Sequence, residues 1–226
     1  MPSNKMIASL IGLILLTLLI FGIWPQIDLA VSSYFHDATG FPMKRNAVVE
    51  FMRNQIWNGT LLVAFVAAVL LCLSYWHKTD GGFWGYILAV FVAGPGLAVN
   101  QGLKSYWGRA RPTQVVEFGG SAQFTPAWEI SDQCLKNCSF VSGEGAGTTA
   151  MTIALLMILY RYRSRINPVL CRVGQTAAVG MLGFVGWQRV AVGGHFLSDV
   201  LLSGLLVTLI AAGLARFMLN RDTANR

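Results

Sequence analysis

Runs without a charged residue set the rhythm of this chain. Residues 6–27, 54–77 and 81–103 contain no Asp, Glu, Lys or Arg. As helices rising about 1.5 Å per residue, each is long enough to cross a hydrocarbon core of about 30 Å. Three later runs, 145–160, 173–188 and 200–215, have sixteen residues each, about 24 Å of helix. To span, they must take in the charges that bound them: Glu144, Arg189 and Asp199. Short carboxylates escape a membrane by snorkelling less readily than Arg does, so Glu144 and Asp199 stand out. The pattern predicts six spans, at roughly 7–24, 58–76, 82–100, 144–160, 170–188 and 196–217, in an all-α six-transmembrane-helix bundle forming one domain, 1–226. The first run is too long for a cleaved leader and is expected to stay as an anchor.

Composition agrees. Hydrophobic residues make up 54% and charged residues 12%, about half the charged share of soluble domains. In such a chain the net charge of +7 reads as orientation and headgroup contact, with no nucleic-acid partner implied. Six spans put both termini on one side. Arg161, Arg163, Arg165 and Arg172 crowd a short connection on that same side, which predicts cytoplasmic termini. The loops 25–57 and 101–143 and the link 189–195 then face outward, to the periplasm in a bacterial inner membrane. Aromatic and basic residues interleave in 25–57, as in a segment lying on the membrane interface. The loop 101–143 is long enough to be functional. Its Cys134 and Cys138 are expected to form a disulfide if it lies outside the cytoplasm. Cys72 and Cys171 fall in apolar segments.

Three stretches carry candidate chemistry. Lys104-Ser-Tyr-Trp-Gly-Arg109-Ala-Arg111-Pro112 places three cations and no carboxylate at the polar end of a span. Lys104 and Arg111 are seven apart and would share a face if the helix continued. Arg109 lies off that face and receives no role. The cluster needs an anion, either a substrate group or lipid headgroups. In the second stretch, Ser142 reads as an N-cap, and the N–H groups at Gly143 open an anion site at a helix start. A Gly-x-Ser-Gly protease reading fails because Phe140 occupies the first glycine position. In the third, Arg189 precedes Gly193-Gly194-His195 and Asp199. His195 and Asp199 are spaced i, i+4, so the carboxylate could fix the imidazole tautomer. No metal or other cofactor is expected. His36 and His77 lie in loops on opposite sides, and Glu144 and Asp199 are the carboxylates nearest the motifs.

Taken together, the stretches resemble the type 2 phosphatidic acid phosphatase superfamily, whose pattern is Lys-x6-Arg-Pro, then Pro-Ser-Gly-His, then Ser-Arg-x5-His-x3-Asp. The first block is complete in Lys104, Arg111 and Pro112. The second keeps Ser142 and Gly143, with Val141 for Pro and Glu144 for His. The third keeps Arg189, His195 and Asp199, with Gln188 for Ser. The resemblance implies a metal-independent lipid phosphatase in which His195 attacks phosphorus and Asp199 orients it. Lys104, Arg111, Ser142, Gly143 and Arg189 would hold the phosphate, and Glu144 would stand in as general acid. The Val-Ser-Gly-Glu variant and the outward cysteine pair resemble a bacterial branch that includes lipid A phosphatases. A lipid A phosphate is the first expected substrate, with undecaprenyl diphosphate and phosphatidylglycerol phosphate as competitors. No obligate protein partner is implied. A protein that binds or moves an anionic lipid is the non-enzymatic alternative, although no internal repeat of the kind common in transporters is visible.

Overall fold

The computed structural model describes residues 2–224, and its regular structure is helical, with no strand among the described residues. Helix α1 (Asn4–Ile23) starts at Ser3, whose hydroxyl accepts the Met6 N–H, and ends at Trp24-Pro25. A short α2 (Gln26–Ser33) follows. Helix α3 (Ala47–His77) is capped by Asn46, whose side chain accepts from the N–H groups of Val48 and Val49. Helix α4 runs over Gly81–Tyr106, its middle wound as π-helix from Val92 to Leu103. Pro95 lies inside that segment, and proline is a common cause of a widened turn because it withholds an N–H. Then come α5 (Gly143–Arg161), α6 (Pro168–Ala191) and α7 (Leu197–Ala224).

Helices α1, α3, α4, α6 and α7 are long and apolar enough to cross a membrane. Helix α5, the fourth expected span, is different. Its first turns read Gly-Glu-Gly-Ala-Gly-Thr-Thr-Ala, and residues from Gly145 to Thr152 are buried. It packs against α3, α4, α6 and α7. A helix surrounded by helices needs small residues for close approach more than it needs hydropathy. At Gly147 an added Cβ would come within 3.0 Å of the Trp57 ring.

Two boundaries differ from expectation in ways that matter for the site. The expected second span starts at 58, after the last charge of 25–57. The helix begins at Ala47, and its 31 residues make it about 46 Å long. That exceeds the hydrocarbon thickness of about 30 Å, so the helix extends beyond the apolar layer, and Glu50 and Arg53 lie in its first two turns. Of the expected interfacial segment, α2 and a 3-10 turn at Pro42–Arg45 remain. Helix α4, expected to end at 100, continues through Lys104 to Tyr106 and then stops. At the opposite end of the bundle, Arg161 pairs with Asp80, fastening the end of α5 to the start of α4.

Candidate active site

The chain beyond Tyr106 is not helical, so Lys104 and Arg111 do not meet through helical periodicity as expected. A turn at Gly108 redirects it, with φ +67. An added Cβ there would sit 1.7 Å from the Ser131 carbonyl oxygen, so both conformation and space require glycine. The Ser131 hydroxyl donates to the Gly108 carbonyl at 2.9 Å, and the Ser131 N–H to the Trp107 carbonyl at 2.9 Å. The turn leaves Arg111 at a position where its charge, with those of Lys104 and Arg189, acts on His195. The Arg111 Nε donates to the Asn137 carbonyl at 3.0 Å, and burial lowers the pKa of its guanidinium from its ordinary value.

Ser142 is the N-cap of α5, its hydroxyl accepting the Gly145 N–H at 3.1 Å. The Gly143 position explains its residue. A Cβ there would lie 3.0 Å from Asn100 Oδ1 and 3.4 Å from Lys104 Nζ. Glycine therefore lets the Lys104 ammonium approach the start of α5, where N–H groups point outward and favour an anion.

The turn between α6 and α7 delivers His195. Gly193 has φ +65, and a Cβ there would strike the Phe41 ring at 2.6 Å. The N–H groups of Gly194 and His195 both donate to the Arg189 carbonyl at 3.0 Å. Arg189 and His195 are thereby locked into one turn. His195 is almost fully buried, at 2% exposure. Burial, then the charges of Lys104, Arg111 and Arg189, hold its pKa well below the ordinary value of 6.5. The imidazole is therefore neutral at neutral pH.

The partner of that imidazole differs from the expected one. Nδ1 lies 2.7 Å from the Ser139 carbonyl oxygen and 3.9 Å from Asp199 Oδ2. A carbonyl can only accept, so Nδ1 carries the hydrogen and Nε2 bears the lone pair. Asp199 works on the frame instead. One oxygen accepts from the Ser139 hydroxyl at 2.5 Å and from the Phe196 N–H at 2.9 Å, closing the start of α7. The other accepts from Arg109 Nη1 at 2.6 Å.

Arg109, which had no role in the sequence reading, is fully buried. It joins Asp199 to Asp28 of α2, with Nη2 at 2.8 Å from Asp28 Oδ2, and its Nε donates to the Thr125 carbonyl at 2.9 Å. Asp28 also accepts from the N–H and hydroxyl of Ser198. The Phe196 ring lies 4.4 Å from the guanidinium carbon, in cation–π range.

Glu144 is likewise in an unexpected setting. Arg53 of α3 grips both its oxygens, Nε at 2.8 Å and Nη2 at 2.6 Å. Arg189 Nη1 donates to one of them at 2.8 Å. Arg53 also pairs with Glu50, Arg189 Nε donates to Gln188 Oε1 at 2.7 Å, and Gln188 Nε2 reaches back to Glu50 at 3.5 Å. The five side chains form a closed ring. Cys134 and Cys138 are joined as a disulfide, with Cα atoms 5.6 Å apart, directly before Ser139. Among the described residues no group of three or more His, Cys, Asp or Glu is placed to hold a metal ion.

Comparison with known proteins bears on this geometry. Residues 82–223 match the family described as the PAP2 superfamily. A lipid A 4'-phosphatase of Francisella tularensis subsp. novicida (strain U112) is 30% identical over 196 residues, covering 83% of this chain and 84% of the relative. The lipid A 4'-phosphatase of Rhizobium leguminosarum is 31% identical over 218 residues, covering 87% and 89%. Among solved structures, the transmembrane PAP2-type phosphatidylglycerolphosphate phosphatase of Bacillus subtilis superposes with a TM-score of 0.61 at 21% identity, over 93% of this chain and 94% of that one.

Proposed function

Because this chain belongs to the PAP2 superfamily, we propose that it is a lipid phosphate phosphatase that forms a phosphohistidine on His195. Its substrate is a phosphate ester of lipid A, with the 4' position favoured by the names of its relatives. The observation that carries the mechanism is the pair of roles on one imidazole. The Ser139 carbonyl holds Nδ1–H at 2.7 Å, so Nε2 is the free nucleophile, and burial among cations keeps it unprotonated.

The phosphate dianion sits against Lys104, Arg111 and Arg189 and the N–H groups at Gly143, with the Ser142 hydroxyl beside them. These charges are strongest where water is excluded, and they stabilise the equatorial oxygens as the metaphosphate-like centre passes between oxygen and nitrogen. Nε2 bonds to phosphorus as the ester oxygen leaves and takes up a proton from water. A second water then attacks phosphorus, frees His195 and releases inorganic phosphate. The reaction faces the periplasm at the inner membrane. The arginine-rich link 161–172 at the other end of the bundle supports that orientation.

The test is phosphate release in detergent from a panel of lipid A, phosphatidylglycerol phosphate and undecaprenyl diphosphate, with EDTA present. Release from lipid A that persists in EDTA and disappears in His195→Ala is the expected result. Release from another lipid alone would reassign the substrate. Loss of release in EDTA would remove the metal-free mechanism.

A further inference from the structure

Two departures from the family pattern, Glu144 and Gln188, fall in the same ring of side chains. We propose that Glu144 is a positioning residue for Arg189, braced from α3 by Arg53, and that it does not act as the proton donor to the leaving group. This rests on the phosphatase reading above and assigns a role within it.

The geometry carries the proposal. Two of the three guanidinium nitrogens of Arg189 are committed, Nε to Gln188 at 2.7 Å and Nη1 to Glu144 at 2.8 Å. Those two bonds fix the plane of the guanidinium and the direction of its third nitrogen. Gln188, fully buried, cannot move aside, and Glu144 cannot swing away because Arg53 holds both its oxygens. Arg53 commits all three of its nitrogens, Nε and Nη2 to Glu144 and Nη1 to Glu50 within the ring and to neighbouring Asn54 outside it. It is therefore a brace and not a phosphate ligand.

A proton donor needs a carboxyl oxygen that carries hydrogen and points at the leaving group. Both oxygens of Glu144 face guanidinium groups, which offer hydrogens and accept none. A proton placed there would break an ion pair on either side. The arrangement instead performs two tasks. It aims Arg189 before substrate arrives, so that no reorganisation is needed during reaction. It also sets one negative charge among cations that otherwise repel one another, which lets Arg189 and Lys104 stand close. Helix α3 becomes part of the site through Arg53, ninety-one residues away from Glu144 in sequence.

The experiment compares two esters that differ in leaving group: lysophosphatidic acid, which expels an alkoxide, and 4-nitrophenyl phosphate, which expels a stable phenolate. Steady-state kcat and KM are measured across pH for the full chain in detergent, for Glu144→Gln, Arg53→Ala, Arg53→Lys and the double variant Arg53→Ala/Glu144→Gln. Positioning predicts that Glu144→Gln lowers kcat/KM on both esters by the same factor, about 10- to 100-fold, the scale of one misplaced charge-stabilising donor. Arg53→Ala should match it and Arg53→Lys fall between. The double variant should be no worse than the poorer single one, because the two residues act as a unit. Loss on the alkyl ester alone, with the phenyl ester spared and the alkaline arm of the pH profile altered, would overturn the proposal in favour of a proton donor. A silent Arg53→Ala would also overturn it. If Glu144→Gln does not fold, Arg53→Lys together with protection of each variant from thermal unfolding by inorganic phosphate gives the same decision. Positioning predicts that this protection weakens in Arg53→Lys; unchanged protection overturns it. Failure of the unaltered chain to release phosphate from lipid A as well as from both esters would defeat the phosphatase reading itself, a result distinct from both.

Discussion

At the scale of single residues, His195 meets two requirements: the proposed nucleophile needs a lone pair, and a buried ring needs a partner. The Ser139 carbonyl satisfies the second without touching the first. A consequence for stability follows from the sign of the pKa shift. In the folded protein His195 titrates well below 6.5, its ordinary value. Between that lowered value and 6.5 the unfolded chain holds the proton and the folded chain does not. Stability therefore falls as pH drops through that window and is unaffected by His195 above it. Replacing His195 with Gln, which cannot titrate, should flatten this part of the stability profile while abolishing turnover. Denaturant unfolding in detergent at a series of pH values below 7 measures it. An unchanged slope would mean that other groups govern the acid limb.

At the scale of elements, α2 and the first turns of α3 are the parts whose purpose the structure supplies. Helix α2 has eight residues and too little apolar surface to hold its place alone. Asp28 pins it, buried between Arg109 and Ser198. Asp28→Asn keeps the shape but sets amide hydrogens against the Arg109 and Ser198 donors and leaves a buried guanidinium short of charge. A destabilisation of about 3 to 5 kcal/mol is expected, the usual result of removing one partner of a buried ion pair. Activity should fall with it, because Arg109 also holds Asp199. Thermal unfolding in detergent, read beside turnover, checks both.

Much at this scale was legible in the chain. Ser142 could be read as a cap, and His195 could be picked out beside Arg189 and Asp199, since each depends on near neighbours. The pairings of Arg109 with Asp28 and of Arg53 with Glu144 cross 81 and 91 residues, and no spacing rule reaches that far. The acceptor for His195 is a backbone oxygen, a group every residue carries, so nothing in the side-chain pattern singles out Ser139. Arg53 escapes the pattern for a simpler reason: a charge ends an apolar run, but α3 continues through it to Ala47. The i, i+4 spacing of His195 and Asp199 was real, but α7 starts at Leu197, after the histidine.

At the scale of the whole molecule, the site is a junction of nearly every helix. Helix α4 brings Lys104, α5 brings Glu144, α6 brings Arg189, and α7 brings Asp199. All of these fall within 82–223, the portion that matches the PAP2 superfamily. The supports come from elsewhere. Asp28 on α2 reaches Asp199 through Arg109, and Glu50 and Arg53 on α3 reach Arg189 through Glu144. At the end of the bundle that bears Arg161 and Asp80, an ion pair clasps the end of α5 to the start of α4.

The buried bond from Arg109 to Asp28 means that the chain divides into two pieces that are chemically unequal. A fragment beginning at Gly81 would hold every motif residue yet leave a guanidinium in the interior with half its counter-charge gone. Such a fragment should be inactive when made alone and regain turnover when residues 1–80 are co-expressed as a separate polypeptide. A first piece carrying Asp28→Asn should restore far less. Complementation by two severed halves thus measures what the continuous chain conceals: the half that holds every motif residue depends on the other for a buried counter-charge.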